Sequence, residues 1–211
     1  MKNYAQDLAQ ALNLDMDRLA TALDTSALQS KMVRVTQAPM YFTKTPVLGE
    51  REMDFADTSL SIEGNDRSKT LLLTPNQISN GEYWLVKMMS LEITSNTDTP
   101  ITSAVLAELQ GYINRTVLTV SQNSDDKQFE IPLSRIIRNS LNLAPADTSG
   151  TSIITDVAKG EYHFPQTPLE FGGKEAFSLV AKTYGDAPTA EIAGFDFRLT
   201  FDERLYIRNT K

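Results

Sequence analysis

The stretch from Gly194 to Arg208 reads GFDFRLTFDERLYIR. Its odd positions are Phe195, Phe197, Leu199, Phe201, Leu205 and Ile207, interrupted only by Glu203. Its even positions through 204 are Asp196, Arg198, Thr200, Asp202 and Arg204. Successive side chains of a strand point to opposite faces, so the run predicts one apolar ladder and one charged ladder. A strand of this length, half buried, closes a sheet onto a core. A neighbouring run places Phe177, Leu179 and Ala181 at alternate positions, followed by the turn Gly185-Asp186-Ala187-Pro188. We therefore expect these two runs to form one antiparallel side of that core. The charged ladder is of mixed sign, which suits either solvent or a polar contact between identical neighbours.

The same period of two recurs upstream. Val33 and Val35 alternate with Arg34 and Thr36 until Pro39, and Pro46 with Gly49 marks a turn. Residues 50–63 read as two short strands or one bulged strand, and residues 70–74 as a short apolar strand. Residues 82–94 are apolar on both faces, with Tyr83, Leu85, Met89, Leu91 and Ile93 alternating with Trp84, Val86 and Met88. Such a strand is expected to be covered twice. Val105, Leu106 and Leu109 fit a short helix, capped by Thr102 or Ser103 and stopped at Gly111. Residues 112–121 and 128–133 read as a hairpin around Asn123-Ser124-Asp125-Asp126. Roughly eight to ten short strands punctuated by turns indicate a sandwich or barrel.

Residues 3–24 differ. Tyr4, Leu8 and Leu12 step by four, and Leu19 and Leu23 repeat the step. The expected organisation is a helical arm and linker over 1–31 and a single β-sandwich domain over 32–211. The arm's polar face lacks the Lys/Arg enrichment of helices that lie on membranes. No run resembles a signal peptide or reaches transmembrane length.

Composition narrows the chemistry. There is no cysteine and one histidine, His163, so disulfides, cysteine nucleophiles and multi-histidine metal sites drop out. The net charge of -7 argues against wrapping a nucleic acid backbone. His163 has no Gly-x-Ser-x-Gly elbow to serve. The carboxylate pairs Asp15/Asp17, Asp54/Asp57, Asp125/Asp126 and Asp202/Glu203 lack calcium-loop spacing. Gly172-Gly173 belongs to no phosphate loop, Trp84 reads as core, and Asn114-Arg115-Thr116 is a chance glycosylation triplet. We assign no catalytic, cofactor-binding or metal-binding residue and expect no enzyme.

Four features together resemble viral jelly-roll capsid proteins of tailless icosahedral phages. They are the helical stretch 3–24, the opening strand VRVTQ, the segment TPLEFGGKEAFSLVAK at 167–182, and the final strand GFDFRLTFDERLYIR. The resemblance implies a jelly-roll-like antiparallel β-sandwich. It also implies a structural virion protein that self-assembles into trimeric or pentameric capsomers beside other virion proteins. The arm would then reach a neighbour or an internal membrane, and the protein would reside in the virion after synthesis in the host cytoplasm. The alternative is a carbohydrate- or receptor-binding β-sandwich module of a phage spike or tail, with recognition on loops 123–127 and 144–151.

Overall fold

The computed structural model describes Gln10 and residues 33–79, 81–96, 102–122, 126–137, 142–143, 154–155, 161–164, 169–172 and 176–209. The expected helical arm, Gln10 apart, and its linker therefore lie outside the described residues. The remainder is a mostly β, sandwich-like structure of two antiparallel sheets.

The first sheet contains β1 (Val33–Gln37), β2 (Met40–Lys44), β4 (Glu82–Ser95), β9 (Glu161–His163), β10 (Leu169–Gly172) and β12 (Phe195–Asn209). β12 is its spine, flanked by β1 and β2 on one side and by β4 on the other; β4 then carries β9 and β10. The second sheet runs β3 (Glu52–Asp54), β11 (Phe177–Thr183), β5 (Thr116–Gln122) and β6 (Asp126–Pro132). A two-residue ladder joins β7 (Asn142–Leu143) to β8 (Ile154–Thr155). The expected hairpin is β5 with β6.

The pairing is nested. The first strands, β1 and β2, pair with the last, β12; β3 pairs with β11; β4 pairs with β10; and β5 pairs with β6. The chain thus behaves as one long hairpin whose tip is β5–β6, wound so that successive arms alternate between the sheets.

This order corrects one expectation from sequence. β11 and β12 are not neighbours: β11 bonds to β3 and β5, while β12 bonds to β1, β2 and β4. The segment 184–194 between them crosses from one sheet to the other. Their two sheets meet face to face through the aromatic core. Phe177 of β11 lies 6.3 Å from Phe42 and 6.1 Å from Trp84, ring centroid to centroid. Phe171 lies 5.3 Å from Phe177 and stacks on Phe201 at 5.9 Å.

The single apolar ladder of β12 is also corrected. Phe201 pairs with Met89, Glu203 with Met88 and Arg204 with Val86. The register passes over one residue on each strand, Asp202 on β12 and Lys87 on β4. An extra residue reverses every side chain beyond it, because the period of a strand is two. Phe195, Phe197, Leu199 and Phe201 therefore join the core cluster, while Ile207, equally buried, lies outside it opposite Tyr83. The same irregularity puts Trp84 and Val86 on the core face with Met89, Leu91 and Ile93, whereas Tyr83 and Leu85 are buried outside that cluster. β4 is covered on both faces, as its composition predicts, but its residues divide differently between them.

A helix, α1 (Ser103–Asn114), closes one end of the core. Thr102 caps it, its Oγ1 accepting from the Val105 N–H at 3.3 Å. Leu106, Leu109, Tyr112 and Ile113 are buried, and Tyr112 packs edge-on against Phe197 at 5.9 Å. Gly111 does not stop α1; the helix runs one turn further, so Tyr112 is helical rather than the start of β5. Residues 50–63 form only β3 and a 3-10 turn, Phe55–Asp57, and residues 70–74 contribute isolated bridges instead of a strand. The turn at Pro46–Gly49 is present: Glu50 N–H donates to Val47 O at 3.1 Å, and Gly49 takes φ +81, the left-handed value that glycine adopts without strain.

Candidate functional site

The carboxylates singled out in the sequence have structural work. Asp54 caps the 3-10 turn, accepting from Ala56 N–H at 2.9 Å, and reaches across to the Leu179 N–H of β11 at 3.1 Å. Burial pushes its carboxyl above the ordinary range, against the lowering effect of those two N–H donors. Asp57, its sequence partner, is bound to Lys44. Asp202 accepts from Ser90 Oγ. Asp15, Asp17 and Asp125 lie outside the described residues. Backbone positions alone are described for Asp126 in β6, His163 in β9 opposite Met88, and Glu203 in β12. Of the two recognition loops, 144–151 and 123–125 also fall outside. Among the described residues there is no group of three or more His, Asp or Glu that could hold a metal, and no helix long and apolar enough to cross a membrane.

The mixed-sign face of β12 is satisfied within the chain. Asp196 accepts from Thr45 Oγ1 at 2.5 Å and from Asn96 Nδ2 at 3.1 Å. Arg198 donates to Thr43 Oγ1 at 3.1 Å and to Ser68 O at 2.7 Å, and lies 5.1 Å from the Tyr41 ring centroid. Arg204 has left that face altogether.

Arg204 marks the most distinctive pocket. Among the described residues it is the one buried charged side chain, 6 % exposed. The strand irregularity turns it toward Trp84, and its guanidinium carbon sits 4.5 Å from that ring's centroid. Its Nε donates to Ala38 O at 3.0 Å. Trp84 is core, as its neighbours in the sequence suggest, yet its indole N–H is buried with no acceptor among the described residues. A buried donor in that state costs on the order of 1–3 kcal/mol. Beside the pair opens a pocket of about 270 Å³, bounded by Met40 and by Leu60, Arg67, Leu71, Leu72, Leu73 and Ser79 of the long β3–β4 connection, with Glu82 at the start of β4. Sequence reading missed it because Arg204 looks like a solvent-facing member of the charged ladder until the irregularity reverses it.

A second feature lies at the end closed by α1, where three connections are laced together. Gly49 N–H donates to Pro188 O at 3.2 Å, Tyr184 N–H to Arg115 O at 2.9 Å, and Thr189 Oγ1 to Glu108. The loops so joined leave Val47, Leu48 and Tyr184 exposed at 51 %, 63 % and 66 %. No known family model matches the sequence, and no curated protein matches it either, so the fold and these two features are what a functional reading has to stand on.

Proposed function

We propose that this chain is a jelly-roll assembly subunit, a structural virion protein that builds a capsid shell by packing copies of itself into closed symmetric capsomers. The observation that carries the reading is the nested strand pairing. A jelly roll is an eight-strand antiparallel hairpin wound into two sheets, and viral capsid domains are among its principal users. Counting β1 with β2 and β9 with β10 as single interrupted strands gives eight, four to each sheet, in that nested order. The step from fold to role is by analogy at the level of the fold.

The laced loops support the same reading. Val47, Leu48 and Tyr184 place apolar side chains at solvent on connections held by hydrogen bonds. Repetition of one surface around a symmetry axis would cover them without any further partner. In this role no residue is catalytic.

The test is negative-stain imaging of the concentrated protein beside a form lacking residues 1–24. The full chain is expected to show rings or closed particles. The truncated form is expected to keep a folded β body and to assemble less. A uniform field of single small particles from the full chain would contradict the proposal.

A further inference from the structure

A groove between α1 and the crossing segment 184–194 has chemistry that shell-building does not use. Its volume is about 280 Å³, and none of Val47, Leu48 and Tyr184 lines it. Three charged side chains do: Glu108 of α1, Arg115 at the helix C-cap, and Asp186 of the crossing segment. Glu108 accepts from Thr189 Oγ1. Arg115 and Asp186 are exposed, and the ion pairs among the described residues lie elsewhere, at Lys44–Asp57, Lys69–Glu63 and Lys182–Glu52. The groove therefore carries opposite charges that do not pair with one another. Arg115 is also fixed in place. Its Cδ and Nε lie 2.7 Å from where a Cβ on Gly185 would stand, so the side chain crosses there because that residue is glycine. Ordering a long side chain costs rotamer entropy, and no hydrogen bond from this guanidinium to a described residue offsets it.

Gly111 is an independent observation on the same groove. It sits inside α1, where glycine is less favourable than any residue but proline. A Cβ there would meet one atom, Arg115 Nη1 at 3.9 Å, which is an ordinary contact. Packing within the chain therefore gives no reason for a glycine. What the missing side chain does is keep the groove open beside the guanidinium. Pro188 and Ile192, both buried, supply an apolar wall. At about 280 Å³ the space is near the lower end of the range for small-molecule sites, roughly 300–1,000 Å³. A guanidinium fork matches a carboxylate, and an ammonium group brings three donors to carboxylate acceptors. From these observations we propose that the groove binds a free α-amino acid with a small apolar side chain. Its carboxylate meets Arg115, its ammonium meets Asp186 and Glu108, and its side chain lies against Pro188 and Ile192. This inference stands apart from the assembly reading and does not need it.

The experiment is equilibrium dialysis of the full-length protein against labelled L-valine, which reads binding whether the chain is single or assembled. Saturable binding is expected, displaced by unlabelled valine. N-acetylvaline keeps only the negative charge and valinamide only the positive one, so each should compete several-fold more weakly. Arg115→Gln and Asp186→Asn, both at exposed positions, should each weaken valine binding several-fold. Gly111→Ala separates a ligand site from a purely structural role. It should raise the urea midpoint of the ligand-free protein, because alanine favours the helix, while weakening valine binding several-fold. No saturable binding, equal displacement by N-acetylvaline or valinamide, unaltered binding in any of the three variants, or a lowered midpoint in Gly111→Ala would overturn the proposal.

Discussion

Arg204 lies over the ring of Trp84 at 4.5 Å, on the face of its sheet that carries the core. A charged residue arrives there because the pairing register of β12 with β4 passes over one residue on each strand at the same level, Asp202 and Lys87. The irregularity is therefore not a defect of the spine. It divides β12 into a segment that fills the core with phenylalanine and a segment that presents an arginine to a pocket. The first segment supports stability, and the second creates the one described place where a buried charge borders a cavity.

Phe201 is the last core residue before that change of face. It meets Phe42 edge-on at 5.5 Å and stacks on Phe171 at 5.9 Å, with none of its surface exposed. Phe201→Ala should cost about 3–5 kcal/mol by removing buried surface and leaving a cavity. Phe201→Leu should cost less, because it keeps most of the volume. Urea denaturation checks both, and equal midpoints for the alanine variant and the parent would show that Phe201 adds nothing to the stability of the core.

Gly185 tests the loop end. A Cβ at this position would sit 2.7 Å from both Cδ and Nε of Arg115, too close for either to stay. The backbone bond from Tyr184 N–H to Arg115 O does not depend on the arginine side chain. Gly185→Ala should therefore destabilise the protein by about 1 kcal/mol, within the usual range for a single overpacking change. Arg115→Ala should relieve it. The double variant should be more stable than the sum of the two single effects, and a double-mutant cycle with no coupling would show that the clash is absorbed elsewhere.

Asp54 gives a pH signature. Burial raises its carboxyl above the ordinary 3.8, with the Leu179 and Ala56 N–H groups opposing. The folded state then holds this proton more tightly than the unfolded chain does. As pH rises from 3.8 toward the folded value, the unfolded chain ionises first, so stability falls through that window and is level above it. Asp54→Asn keeps an oxygen acceptor for both N–H groups and removes the ionisation. The parent should lose stability relative to this variant as pH climbs through the window, read as the difference between their denaturation midpoints. A difference that is flat with pH would contradict the assignment. Asp54→Ala removes the acceptor as well and should cost about 1 kcal/mol relative to Asp54→Asn at every pH.

Much of the architecture was legible in the residues, for identifiable reasons. The turn at Pro46–Gly49, the β5–β6 hairpin and the Thr102 cap are local chemistry, set by residues within a few positions of one another. The double coverage of β4 shows in its composition, since Tyr83 and Trp84 are both buried. Pairing across the fold was not legible. Residues 184–194 are compatible with a hairpin or with a crossing between sheets, and the choice is made by β3 and β5 flanking β11 on both sides. The pocket was hidden for a related reason. Ile207 is apolar and buried on the far side of the irregularity, so the odd-numbered ladder continues in sequence after it has changed face in space. Nothing in a period-two pattern distinguishes those cases when both faces of the sheet are covered.

Self-assembly is tested most directly by the mass of the full chain in solution, measured by size-exclusion chromatography with light scattering over a range of concentrations. A discrete closed species, a trimer or a pentamer, is expected. Its share should grow with concentration and fall when Leu48 and Tyr184 are replaced by polar residues. A strict monomer at the highest concentration attainable would contradict the assembly role.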